Sequence, residues 1–430
     1  MTEPQSPEGT GEDSGVFEAV GVSGAIEAGG GSAPLAGVLV ADFSRHLPGP
    51  LAARLLADLG ARVVKVEEPS AGDPVRGAPP TSRGSSALAA LLLAGVESVA
   101  LDLKQPSGRD VADRLIARAD VLLETFRPGT FARLGWTREE LQRRFPRLIV
   151  CSLSGWGQDG PAAPRAGHDL TYQAAAGLLA PIVSAPSGPQ PLPAAPISDL
   201  SGAWSAVSAI LAALFQRERT GRGTSIDASL FDAALHSNLL GWASEAGGAK
   251  SVGQPLALTG DLPCYATYET ADRKKVALAF LEPHFWHRFC HAAERPDLAG
   301  NHFDRGNGFR RKLERLMRQR TRAQWTELFV AHDLPAGPVL TAAEARASAQ
   351  ALARGVVKIA ADGLPRLAFP ARFDGHRPAA AERLPALGAA TEDLLEELGA
   401  PEARQSRWRR RKAGVGARWS WKRLLRRLVP

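Results

Sequence analysis

The sequence predicts an α/β protein, with a parallel sheet flanked by helices and a second, smaller unit. Three observations predict this. Short apolar runs alternate with longer amphipathic ones from Gly37 onward; 430 residues at 44% hydrophobic content exceed the usual size of one domain; and the composition changes after about residue 240. Val38–Ala41 reads as a first strand, Pro48–Leu59 as a helix ended by Gly60, and Val63–Glu67 as a second strand. Val99–Leu103, Val121–Glu124 and Leu148–Leu153 continue the strand series, with helices near 106–118 and 137–145 between them. Ala203–Arg217 is a further helix, apolar enough to be largely buried. Gly247, Gly248, Gly253 and Pro255 mark a linker into the second unit, residues 241–334, which holds five of the nine histidines.

The net charge of +7 is unevenly spread. Residues 1–34 carry six acids and no Lys or Arg, whereas residues 401–430 carry eleven Lys or Arg and one acid, which leaves +3 for the body. The first segment is rich in Gly, Ser, Glu and Pro, so it is expected to be a disordered acidic tail. In the last, Trp421, Leu424, Leu425 and Leu428 recur at helical spacing among Lys422, Arg423, Arg426 and Arg427. That pattern suits a short basic amphipathic tail for an anionic membrane surface or an acidic partner, or a charged tail that is simply solvated. Nothing in the body resembles a nucleic-acid-binding fold, so nucleic acid is not expected as a partner. No run of eighteen apolar residues argues for a membrane span, and the acidic N-terminus does not read as a secretory signal. Cys151, Cys264 and Cys290 are widely spaced and odd in number, as expected of free thiols in a cytoplasmic protein.

Chemistry is concentrated in two segments, Arg165-Ala166-Gly167-His168-Asp169-Leu170-Thr171-Tyr172 and Pro196-Ile197-Ser198-Asp199-Leu200-Ser201-Gly202. They supply a base that titrates near neutrality and a carboxylate, with glycines that let backbone approach a substrate. Read alone, His168 is a loop cap or hydrogen-bonding group, and Asp199 a cap for a helix beginning near Ser201. His284, His287 and His291 share a helical face, but no nearby carboxylate or cysteine completes a metal set, and no metal is expected.

These segments stand within an ordered series of motifs. The series opens with Leu35-Ala36-Gly37-Val38, Asp42-Phe43-Ser44, Pro48-Gly49-Pro50 and Leu55-Leu56-Ala57-Asp58-Leu59-Gly60-Ala61. Val99-Ala100-Leu101-Asp102-Leu103-Lys104, Phe126-Arg127-Pro128-Gly129, Arg133-Leu134-Gly135, Ser154-Gly155-Trp156-Gly157 and Thr220-Gly221-Arg222-Gly223 follow. The series resembles the family of class III CoA-transferases and α-methylacyl-CoA racemases over roughly residues 35–400. The resemblance implies a Rossmann-like large domain from residues 35–240 and 335–400 that binds CoA, a smaller α+β domain at 241–334, and an interlocked homodimer with its active sites at domain and subunit boundaries. It implies His168, Asp199, Glu282 and Arg133 as the catalytic set, and Leu101, Lys104, Arg127, Gly167, Asp169 and Tyr172 as the CoA-binding set. CoA enters as part of an acyl-CoA substrate, with no separate cofactor.

Two reactions follow from this set. In the racemase branch His168 and Asp199 exchange the α-proton of an acyl thioester from opposite faces, with Glu282 orienting the imidazole. In the transferase branch the Asp199 carboxylate attacks the acyl-CoA carbonyl to form an anhydride and free CoA thiolate, which converts the anhydride to an aspartyl-CoA thioester that a second acid then attacks. That branch needs no histidine at 168 and usually has a glycine-rich loop, whereas Leu258-Thr259-Gly260-Asp261-Leu262-Pro263 has one glycine, so proton transfer is the expected reaction. A non-catalytic scaffold acting through the basic tail is a third reading. The chain departs from the family where basic side chains usually hold the adenosine phosphates: Glu68 follows the second strand, and Ala94-Gly95-Val96-Glu97-Ser98 precedes the next. Either Arg76, Arg83, Lys104 and Arg127 compensate, or the substrate is an acyl group on a carrier protein.

Overall fold

The computed structural model describes residues 33–82, 85–180, 193–248, 258, 260 and 262–400. Both charged tails, apart from Ala33 and Pro34, therefore lie outside the described residues, as does Arg83.

Six strands form the main sheet: β1 (Leu39–Phe43), β2 (Arg62–Glu67), β3 (Glu97–Ala100), β4 (Val121–Glu124), β5 (Ile149–Ser154) and β6 (Ser225–Ser229). All neighbours are parallel, in the order β3-β2-β1-β4-β5-β6. All but the last of these strands are largely apolar runs, because both faces are covered. Along β1, Val40 enters one core and Ala41 the other; Val63 and Val64 on β2, and Val121 and Leu122 on β4, divide in the same way. Helices α1 (Pro48–Asp58) and α4 (Ile197–Thr220) fill the first core, and α2 (Pro106–Arg118) the second.

Several boundaries differ from the sequence expectation, each for a local reason. The third strand ends at Ala100 and not Leu103, because the chain turns at Asp102, whose carbonyl accepts Gln105 N–H at 2.9 Å ahead of Pro106. The sixth strand, Ser-Ile-Asp-Ala-Ser, is too polar and short to have been read as one. Helix α4 begins six residues before Ala203, because a distant carboxylate described below caps it. At 24 residues α4 is long and apolar enough to cross a membrane by length and composition, although its sequence has no unbroken apolar run of that length. Its apolar residues Ala203, Ala206, Val207 and Ile210 instead belong to the core shared with α1.

The second unit has its own core and an antiparallel sheet of β7 (Tyr265–Glu269), β8 (Lys275–Ala279) and β9 (Ala336–Pro338), with β8 central. Trp286 and Phe289 of α5 (Pro283–Ala292) are fully buried there, with Trp325 and Phe329. Because β9 belongs to this sheet, the chain passes residue 334 before returning. On its return, α6 (Thr391–Glu397) places Leu394 and Leu395 in the second core. Arg62 clamps the edge, bonding Glu97 on β3 and Glu397 on α6, both through 2.9 Å contacts.

Beneath the first strand lies a charged cluster. Lys65, fully buried on β2, has its Nζ 2.8 Å from Ser44 O, 3.3 Å from Asp42 and 3.1 Å from Asp73. Burial acts to strip its proton, but Asp42, Asp73 and Glu67 outweigh burial and hold the ammonium above its ordinary value. Lys65→Met leaves two carboxylates buried without a counter-charge. It is expected to lower unfolding stability by roughly 3–5 kcal/mol, read as a shift of the urea midpoint at unchanged slope.

Candidate active site

In a doubly wound sheet of this order, successive crossovers leave β1 and β4 in opposite directions, and a crevice opens beyond their C-terminal ends. Four segments reach it: the β1–α1 loop, the loop after β4, the segment entering α3 (Asp169–Ala175), and the first turn of α4. Glycine lets these segments approach. A Cβ on Gly49 would lie 2.2 Å from Ser44 Cβ and 2.7 Å from Thr125 Cγ2, so a larger residue would prise the start of α1 off the two loops.

Asp169 joins the two segments singled out in the sequence. Its Oδ1 accepts Ser198 N–H at 2.8 Å and Asp199 N–H at 3.1 Å, capping α4, while Oδ2 accepts Gln173 Nε2 at 2.5 Å. His168 is thus held one residue from a side chain that grips the amide of Asp199. His168 N–H in turn donates to Thr171 Oγ1 at 3.0 Å, and its imidazole is exposed at the crevice. Asp199 occupies the first turn of α4 and not the capping position considered from sequence. Its half-buried carboxylate accepts no hydrogen bond from a described residue; burial, and then repulsion from Asp169, push its pKa up to about 7.

Tyr172 is the pillar behind this pair. Its buried ring fills the space left by two glycines: a Cβ on Gly155 would lie 2.1 Å from the phenol oxygen, and one on Gly167 2.5 Å from Cε1. Trp156 packs edge-on against it at 5.0 Å. Burial raises the phenol's pKa, as does Asp199, against the pull of Arg127. Among the residues expected to hold CoA, Gly167, Asp169 and Tyr172 therefore have structural tasks here, while the side chains of Arg127 and Lys104 are exposed. Leu101 is buried at the end of β3, its N–H bonded to Glu67 O at 2.9 Å.

The other two catalytic candidates make no bond to this pair within one chain among the described residues. Arg133 donates to Thr130 Oγ1 at 2.9 Å, and Glu282 is an exposed residue at the start of α5; neither bonds His168 or Asp199 among the described residues. Arg76, considered as a phosphate contact, is committed to Glu67 through two 2.7 Å bonds. Glu97 belongs to the Arg62 clamp, and Glu68 accepts bonds from Ser70 and Ala71. Most of the 258–263 loop lies within or beside residues that are not described. Among the described residues no cluster of three or more His, Cys, Asp or Glu could hold a metal, and the three cysteines are buried and unpaired.

One residue at the crevice escaped the sequence reading. His46, in the β1–α1 loop, has left-handed backbone at φ 69° and donates its N–H to Asp73 Oδ1 at 3.2 Å. Its pKa is lowered by burial; Asp73 opposes this, and the charges of His168, Arg45 and Lys65 add to it. His46 and His168 are therefore near enough to interact. No spacing in the sequence marks this position.

A doubly wound sheet with an imidazole and a near-neutral carboxyl at its switch point defines an α/β enzyme scaffold of the Rossmann type. The chain belongs to CoA-transferase family III, whose model matches residues 35–391. It is 33% identical to an acetyl-CoA:oxalate CoA-transferase of Acetobacter aceti over 388 residues, covering 86% of this chain and 97% of the relative. It is 35% identical to the alpha-methylacyl-CoA racemase of Homo sapiens over 378 residues, covering 85% and 93%. Its fold matches the crystal structure of a CAIB/BAIF family protein from Brucella suis with a TM-score of 0.74 and 29% identity, covering 85% of this chain and 99% of that one. Racemases and transferases both stand among its relatives.

Asp169→Asn keeps an oxygen for the two amides but removes the charge that opposes ionisation of Asp199. The pKa of Asp199 is expected to fall while staying above the usual aspartate range, because burial is the larger cause. Carbon-13 NMR titration of the labelled Asp199 carboxyl checks this, and an unchanged midpoint contradicts it.

Proposed function

We propose that this protein is an acyl-CoA isomerase that inverts an α-substituted acyl thioester by passing the α-proton between His168 and Asp199. The observation that carries this reading is the placement of Asp199, a half-buried carboxyl that accepts no hydrogen bond from a described residue, whose pKa burial and Asp169 push up to about 7, and whose amide is held by Asp169, the residue after His168. Two-base inversion needs one group that holds a proton while its partner lacks one, and both must reverse roles in each turnover. A carboxyl poised at neutrality and an imidazole meet that need. A dedicated nucleophile works best fully ionised, a state that burial and Asp169 here oppose.

The second reading is CoA transfer through an aspartyl-CoA thioester on Asp199, favoured by the likeness to acetyl-CoA:oxalate CoA-transferase. In either reading Arg127 and Lys104 remain to meet CoA. Because Arg76 is consumed by Glu67, a carrier-bound pantetheine thioester is an alternative substrate form. A homodimer completes the site in this proposal, since Glu282 is exposed and unpaired with His168 in one chain. Leu239, Leu240 and Trp242, exposed side by side on one helix, supply apolar surface for such pairing.

Incubating an α-methylacyl-CoA with the protein in deuterated water is expected to place label at the α-carbon, read by mass spectrometry. His168→Ala and Asp199→Asn are each expected to slow labelling about 10²–10⁴-fold. Absence of label, with hydroxylamine trapping Asp199 only after acyl-CoA is added, replaces this reading with the transferase one.

A further inference from the structure

Between β9 and α6 the chain carries a cationic face that the two-base reaction does not use. Arg354 ends the short helix Ala349–Arg354, and Arg372 donates to the carbonyls of Ala353 at 3.0 Å and Arg354 at 3.3 Å, so its guanidinium lies across the end of that helix. Arg377 follows after a turn and bonds Phe369 O through one Nη. Its Nε and its other Nη are shut away from solvent and find no acceptor among the described residues. Burial, and then repulsion from Arg354 and Arg372, pull its pKa down. Asp374 stands in the same turn, with left-handed backbone at φ 48°, but forms no ion pair with any of the three among the described residues. Three like charges are therefore gathered without a counter-charge, one of them partly desolvated, and an uncompensated charge of that kind is costly.

The face is apolar as well as basic. Leu352 is 67% exposed and Phe373 44%, each within two residues of an arginine of the set, and Phe373 stacks on Phe369 at 6.2 Å. Large apolar side chains exposed among unpaired arginines are the composition of a contact surface.

One segment of this chain has the complementary composition and joins the body close by. Ala33, the first described residue, touches Gly60, where an added Cβ would lie 2.3 Å from Ala33 Cβ. Two residues before Gly60, Asp58 pairs with Arg54 at 2.8 Å; Arg54 also bonds Leu367 O, two residues before the Phe369 carbonyl that holds Arg377. A short run of contacts thus leads from Ala33 to the arginines. The residues before Ala33 carry six acids and no Lys or Arg, with Glu12, Asp13 and Glu18 standing among Val16, Phe17 and Val20. Fifteen residues join Glu18 to Ala33, and extended they span about 50 Å. Residues 401–430, by contrast, bear the same sign as the arginines and are repelled by them.

We propose that Arg354, Arg372 and Arg377, with Leu352 and Phe373, form a docking surface for the acidic segment around Glu12–Glu18 of this same chain. Carboxylates over the exposed guanidiniums of Arg354 and Arg372 offset the charge of all three arginines, and Phe17 covers the apolar part. Because the segment is tethered, it is present at high effective concentration, and individually weak pairs are enough to hold it.

Arg354→Lys and Arg372→Lys, made in the full chain, keep the charge and add amines that a zero-length carbodiimide joins to carboxylates. Mass spectrometry is expected to find each lysine bonded to Glu12, Asp13 or Glu18, with a yield that falls about threefold or more when salt is raised from about 0.05 M to about 0.5 M. Mixing chains of light and heavy nitrogen separates bonds within one chain from bonds between two. Cross-links only between chains, cross-links of these acids only to Lys412 or Lys422, or none at all overturns the proposal. Hydrogen exchange tests it without cross-linking: Glu12→Lys, Asp13→Lys and Glu18→Lys together are expected to speed exchange over residues 349–377 about threefold or more, and adding Arg354→Glu and Arg372→Glu to slow it again. Unchanged exchange in the first variant, or no restoration in the second, overturns it as well.

Discussion

The carboxylate of Asp169 on the first amides of α4 is the contact on which the site depends. A helix start leaves N–H groups without partners, and a buried one must find an acceptor. Here the acceptor comes from a segment some thirty residues earlier, directly after His168, so satisfying the helix also ties the segment that carries the histidine to the amide of the aspartate. The cap is costly to its neighbour: a negative charge held there raises the energy of ionised Asp199, and burial adds more. One hydrogen-bonding arrangement thus does two things, fixing where the pair stands and bringing the carboxyl toward neutrality. Gln173 holds the other oxygen of Asp169, so the charge cannot swing away.

The same use of charge for architecture explains the missing phosphate contacts. Along the edge of the sheet, Arg62 ties β3 to α6 through Glu97 and Glu397, and Arg76 forks onto Glu67, which also accepts the Ser98 hydroxyl at 2.5 Å. Glu97, one of these acids, looks in sequence like the loss of a basic nucleotide site. In space the acids join the returning C-terminal segment to the sheet: Arg76 also reaches Pro385 O at 2.9 Å, and Ser98 O accepts Ala390 N–H at 2.9 Å. A basic side chain at position 97 would face Arg62 and open that seam.

Much of this was legible in the sequence, for stated reasons. Five of the six strands are apolar runs of the kind a two-sided sheet requires, and Pro48, Pro106 and Thr137 mark helix starts that the structure keeps, with Thr137 Oγ1 accepting Glu140 N–H at 3.2 Å. His168 and Asp199 were visible as residue types, and the motif series implied their pairing. What sequence could not show was the bond that joins their two segments, because a carboxylate capping a helix thirty residues away leaves no local periodicity. The polar strand β6 failed for a related reason: it is ordered by pairing with β5 and not by its own apolar content. His46 was passed over because its significance lies in a backbone angle and a neighbour across the crevice, neither of which is written in spacing.

The buried Asp42–Lys65–Asp73 cluster is hard to justify on stability alone. Three ionised groups removed from water cost more than a well-packed apolar trio of similar volume, and replacing such clusters often leaves a protein as stable or more so. What an apolar trio could not do is direct backbone. Lys65 grips Ser44 O, Asp42 accepts Ser44 N–H at 2.8 Å, and Asp73 accepts the amides of His46 and Val75. Each of these bonds acts on the loop leaving β1, and together they hold it in a turn that a free histidine would avoid. The cluster is therefore best understood as a rigid mount for the crevice wall. Polar groups are buried under β1 so that the residues above it meet a substrate already in position, with less conformational freedom left to lose on binding.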